Sequence, residues 1–166
     1  MLTSHELIGF MSPNLATEIL TYAYESDKPL YRIVLQAVAE ARKIRAVFLE
    51  RQPRTERHTL MLGTLTRPSL EIVTANLLRT WLLKQYKPLL ADFLDALGIK
   101  HNEGVVDDLP NEMDDAKLKG AIDLILGKYP PEVVAVYLNA FSEMNEVNWP
   151  NLKAMLVSDQ RLQLGG

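Results

Sequence analysis

Apolar residues recur at helical intervals along almost the whole chain. The longest run is Leu30, Val34, Ala37, Ala41, Ile44 and Phe48, separated by four, three, four, three and four positions. Only an α-helix places such residues on one face, so the spacing predicts a helix over 29–51, about six turns long. Leu35, Val38 and Leu49 fall well off that stripe. The helix therefore reads as apolar around much of its circumference, as a central helix buried by several neighbours would be.

Capping residues and prolines divide the rest into further helices. Thr3-Ser4-His5-Glu6 is a capping-box pattern, and Ser12-Pro13 is an N-cap followed by proline at the first helical position. Pro29 opens the long helix, which has to end before Pro53. A short helix is expected from Thr55 to Leu65, and another from Ser69 to Tyr86 with Leu70, Val73, Leu77 and Trp81 inward. Pro88 either kinks that helix or begins a new one, which Gly98 would close. After a loop over 99–112, Asp114 caps a helix, Pro130-Pro131-Glu132 opens the next, and Asn148-Trp149-Pro150 begins a last short one. No segment alternates strictly and no Asn-Gly or Asp-Gly turn joins apolar runs. The expected fold is all-α: one compact domain over 1–158, with seven to eight helices in orthogonal or bundle-like packing around the helix near 29–51. A frayed tail is expected over 159–166.

Composition narrows the function classes. A chain of 166 residues with 48% hydrophobic and 23% charged residues is long and apolar enough for a packed core. It has no cysteine, which excludes disulfides, thiolate nucleophiles and cysteine-ligated metals. The first ten residues lack a basic n-region and no run approaches 18 apolar residues, so neither a signal peptide nor a membrane span is expected. The expected location is cytoplasmic.

Charge is distributed unevenly. Glu40 to Arg67 holds seven Lys/Arg against three Asp/Glu, whereas Asp92 to Glu146 holds four against twelve. Such asymmetry marks two faces of opposite potential or two segments that pair with each other. Arg42 shares the helical angle of Leu35, Val38 and Leu49, and Arg45 lies roughly 60° from the centre of the main stripe. Together with Arg51, Arg54 and Arg57 they form a basic strip beside apolar surface, a candidate partner-binding region. The rival reading is that the arginine stems cover the core and their heads pair with the acidic half. In the acidic region, Asp92, Asp95, His101 and Glu103 could surround a divalent metal, although their spacing matches no calcium or zinc template. His5, His58 and His101 have no nucleophile beside them, and no glycine-rich phosphate loop is present.

Residues 128–138, Lys-Tyr-Pro-Pro-Glu-Val-Val-Ala-Val-Tyr-Leu, and residues 114–118, Asp-Asp-Ala-Lys-Leu, resemble segments of an uncharacterised bacterial all-helical family. The resemblance covers the C-terminal half and implies no activity and no site residues. The resulting expectation is a non-enzymatic helical interaction domain without cofactor or metal. It would bind another macromolecule, a protein before a nucleic acid, through Arg42, Arg45, Arg51, Arg54 and Arg57. The alternatives are a nucleic-acid-associated regulator using the same strip, and a metal-dependent enzyme of unfamiliar type at Asp92, Asp95, His101 and Glu103. Self-association through a second apolar helix face is also expected to be possible.

Overall fold

The computed structural model describes residues 1–165 and is all-helical among them. Ten α-helices follow in order: α1 (Ser4–Phe10), α2 (Pro13–Ser26), α3 (Lys28–Arg42), α4 (Ala46–Glu50), α5 (Arg54–Leu65), α6 (Glu71–Gln85), α7 (Lys87–Ala96), α8 (Asp115–Lys128), α9 (Pro131–Asn145) and α10 (Pro150–Ser158). Short 3-10 turns at Pro68–Leu70 and Gln160–Leu162 complete the described elements. No helix among the described residues is long and apolar enough to cross a membrane.

The helix count exceeds the expected seven to eight because two long helices are broken. The first break lies inside the run 29–51. Lys43 adopts a left-handed backbone (φ 57°, ψ 42°), and Ile44 N–H donates to Ala39 O at 3.0 Å, which closes a Schellman motif. The stripe therefore does not continue into Ile44 and Phe48. The residues buried on α3 are Leu30, Val34, Leu35, Val38 and Ala39, a single face, while Phe48 is 56% exposed. The second break is at Tyr86, where Pro88 belongs to the first turn of a separate helix, α7.

Packing resolves two compact units where length predicts one. The first comprises Thr3–Trp81 with Gly165. The second comprises Leu82–Leu164 with Met1 and Leu2. The chain passes between them inside α6.

In the first unit, α3 packs against α2, α4 and α5, and α5 against α1 and α2. Its core holds Leu7, Ile19, Leu20, Val34, Leu49, Met61 and Leu65. The ends are set by the residues that the sequence marks. Ser12 Oγ accepts Leu15 N–H at 3.2 Å and Asp27 Oδ1 accepts Leu30 N–H at 3.2 Å. Glu71 accepts Ser4 N–H (3.1 Å) and His5 N–H (2.9 Å), so α6 supplies an anionic cap to α1.

In the second unit the central helix is α9. Ten consecutive residues, Val133 to Ser142, are buried. Phe93, Tyr137, Phe141 and Trp149 form a ladder of tilted and edge-on rings with centroids 5.2–5.9 Å apart. Such contacts add about 0.5–1.5 kcal/mol per pair beyond area burial. Leu2 N–H donates to Asn139 Oδ1 of α9 at 2.9 Å. Within the segment expected to fray, Gln160–Leu162 forms a 3-10 turn. Leu162 is buried, and Gln163 Nε2 donates to the carbonyls of Leu156 and Asp159. Gly166 lies outside the described residues.

Candidate functional site: a tyrosine–arginine cleft and its basic surround

The first unit carries a cleft of about 320 Å³ lined by Tyr24, Lys28, Tyr31, Arg32, Leu35, Glu50 and Arg57. Tyr24 comes from the last turn of α2, Lys28 to Leu35 from α3, Glu50 from α4 and Arg57 from the first turn of α5. The turn at Asp27 brings Tyr24 and Tyr31 together, with ring centroids 5.2 Å apart at 71°.

Arg57 is the pivot. Its residue exposure is only 8%, yet among the described residues no carboxylate pairs with it. Its Nε donates to Tyr31 Oη at 2.8 Å, and its Nη1 donates to the carbonyls of Glu50 (3.1 Å) and Gln52 (3.0 Å). The guanidinium carbon lies 5.6 Å from the centroid of Tyr24 and 5.9 Å from that of Tyr31. Backbone carbonyls and ring faces thus stand in for a counter-ion. Among the described residues the Nη2 amino group has no hydrogen-bond partner, and the side chain lines the cleft.

Behind Arg57 a polar chain fixes its orientation. Tyr31 Oη lies 2.9 Å from His58 Nε2. His58 has its pKa pushed down to about 4, by burial first and then by the cationic Arg57 and Arg54. The Tyr31 hydroxyl and the neutral imidazole share this bond, and Tyr31 Oη accepts from Arg57 Nε. Burial also raises the Tyr31 phenol, against the opposing pull of Arg57. With Nε2 filled and its pKa this low, His58 is a poor proton carrier near neutral pH. The arrangement suits holding an anion rather than moving a proton.

Of the five strip residues, Arg57 is buried and belongs to the cleft. Arg42 braces two helices, its Nε donating to Thr64 Oγ1 on α5 at 2.7 Å. Arg54 lies over the Tyr24 ring at 5.3 Å. Arg45 and Arg51 are exposed beside Val47 (46% exposed) and Phe48. The strip is therefore one exposed patch plus one internal guanidinium. None of the seven ion pairs among the described residues includes a side chain between Lys28 and Arg67.

The alternative metal set does not converge. Asp92 Oδ2 accepts from Lys128 Nζ and from Tyr129 Oη, both at 2.6 Å. Those bonds hold the carboxyl below the usual carboxylate range, and burial with Asp92 raises the Tyr129 phenol to about 12. Glu103 pairs with Lys87 at 3.2 Å. Only Asp95 and His101 meet, at 2.7 Å, and His101 Nδ1 is occupied by Gly104 N–H at 3.0 Å. Among the described residues no three His, Asp or Glu side chains gather to hold a metal ion. The loop after α7 is a built element. Asn102 and Val105 bond reciprocally around Glu103-Gly104, and Trp149 and Asn151 tie Pro110 and Met113 to α10. It walls a second cleft of about 880 Å³, where Lys100 and Lys117 face Asp107, Asp108, Glu112 and Asp114.

The sequence pattern alone does not reveal Tyr24, Tyr31 or the inward role of Arg57 and His58. One signal was present. Positions 57, 61 and 65 share a helix face, so Arg57 stands on the same stripe as Met61 and Leu65. No protein-family model, curated protein or solved structure matches this chain.

Proposed function

We propose that the protein is a non-enzymatic helical interaction domain that grips an acidic segment of another protein through the exposed surface of Arg42, Arg45, Arg51 and Arg54. One observation carries this reading: Lys28 to Arg67 holds nine Lys/Arg against three Asp/Glu, and none of these charges is in an ion pair among the described residues. Val47 and Phe48 lie exposed among the arginines, which gives an acidic partner an apolar contact beside a cationic rim. The rest of the chain argues against nucleic acid, because the second unit carries thirteen Asp/Glu against eight Lys/Arg and the pI is about 5.6.

The test is fluorescence anisotropy with a labelled Glu-rich peptide bearing one leucine. The double variant Arg45→Glu/Arg51→Glu should bind at least about tenfold more weakly. Its melting should be unchanged, because neither side chain has a partner to lose. Equal affinity for variant and parent overturns the reading. So does tighter binding of a single-stranded oligonucleotide than of the peptide, with the steep salt dependence that counterion release imposes.

A further inference from the structure

A buried guanidinium without a counter-charge is unfavourable unless something completes it. Arg57 is such a group. Three of its five N–H donors are used, on Tyr31 Oη and on the carbonyls of Glu50 and Gln52, and these bonds fix the plane of the fork. The Nη2 pair remains, at the wall of a cleft whose mouth carries Lys28 and Arg32, one helical turn apart on α3. From these observations we infer that the cleft bounded by Tyr24, Lys28, Tyr31, Arg32, Leu35 and Arg57 binds a small phosphorylated molecule, with its phosphate on the free edge of Arg57.

Charge selects the dianion. Lys28, Arg32 and Arg57 bring three positive charges to the wall and Glu50 returns one negative, so a phosphate monoester neutralises the site and a carboxylate does not. Glu50 forms no ion pair with any of the three cations, so it leaves their donors open. Size limits the remainder. The volume of 320 Å³ is at the small end for ligand clefts, enough for a phosphate and a compact body. Leu35 and the rings of Tyr24 and Tyr31 offer that body an apolar, partly aromatic wall. The fork is oriented before any ligand arrives, which lowers the entropic cost of binding.

Arg45 and Arg51 do not line the cleft, so anion binding there is independent of the partner surface. Isothermal titration of the full chain with phenyl phosphate, benzoate and a phosphoserine peptide decides it. Phenyl phosphate should bind saturably, and benzoate about tenfold more weakly. Arg57→Lys keeps the charge but removes the fork, and should weaken phenyl phosphate about tenfold or more while circular dichroism stays helical. If Arg57→Lys does not fold, the double variant Lys28→Ala/Arg32→Ala decides instead. Both side chains are exposed and make no hydrogen bond or ion pair, so their loss should weaken binding without lowering the melting temperature. Absence of binding at millimolar phenyl phosphate overturns the site. Equal binding of benzoate, or affinity unchanged in the folded variants, overturns it as well. Tighter binding of the phosphoserine peptide than of phenyl phosphate overturns the small-molecule assignment.

Discussion

The two compact units treat charge in opposite ways. Thr3–Trp81 holds ten Lys/Arg and eight Asp/Glu yet forms one ion pair among the described residues, between His5 and Glu71. Leu82–Leu164 holds eight Lys/Arg and thirteen Asp/Glu and forms six. The more imbalanced unit is the more paired. Net charge therefore says little about which charges are available. The acidic unit commits Asp92, Asp95, Asp123 and Asp159 to its own helix ends and loops, whereas the first unit leaves its arginines unmatched and buries one of them on carbonyls and rings. Pairing internal to a unit gives modest stability. Unpaired cations beside apolar surface leave a unit ready to meet something else.

Each unit can be perturbed while both are followed. The largest effect is expected from Phe141→Ala, which removes a fully buried ring from the aromatic ladder of the second unit. It should cost about 3–5 kcal/mol. Hydrogen exchange should lose protection over 82–164 and keep it over 3–81. Equal loss in both would mean that the two units unfold as one.

Acid should then act on the first unit before the second. The unfolded chain protonates His58 near 6.5, but the folded chain refuses that proton until about 4. Stability is therefore lost as pH falls between those values, by at most about 3 kcal/mol. Asp92 and Asp159 hold their charge below the usual carboxylate range, so their pairs survive to lower pH. Melting from pH 7 to pH 5 should fall in the parent and stay flatter in His58→Gln; parallel curves would remove His58 from the explanation.

A smaller loss, about 2 kcal/mol, is expected from Gly104→Ala. Gly104 has φ +88°, and an added Cβ would stand 2.9 Å from Leu90 Cβ. The loss should appear in chemical denaturation and leave the first unit's cleft untouched. The smallest change has the opposite sign. Lys43→Gly relieves a left-handed residue that has a Cβ and should raise stability by about 1 kcal/mol. A drop in melting temperature would show that the Lys43 side chain contributes more than its backbone costs.

Much of the fold was legible along the chain because caps and prolines act locally. Ser12 and Asp114 each cap the helix that their position announces, and Gly98 closes α7 with φ +72°. The break at Lys43 was not legible. A Schellman turn usually advertises itself with glycine, and Ala41-Arg42-Lys43-Ile44 contains none. The helical period simply ran on through it. The second apolar set, Leu35, Val38 and Leu49, is buried together with Leu30 and Val34 of the first, because burial depends on which side α2 and α5 approach. The cleft was hidden for a related reason. Tyr31 and Arg57 meet across 26 residues, a distance at which spacing carries no information.

The bond from Leu2 N–H to Asn139 Oδ1 gives assembly a timetable. Everything the first unit's core and cleft need is present once Trp81 has left the ribosome, but Leu2 has to wait for a partner 137 positions downstream. At about 5–20 residues per second, the interval between the emergence of residue 81 and of residue 139 is roughly 3–12 s. During that interval the first unit can be closed while Leu2 is still unanchored. The acidic unit is thus the last to be finished, although it claims Met1 and Leu2, which are made before any residue of the unit that closes first.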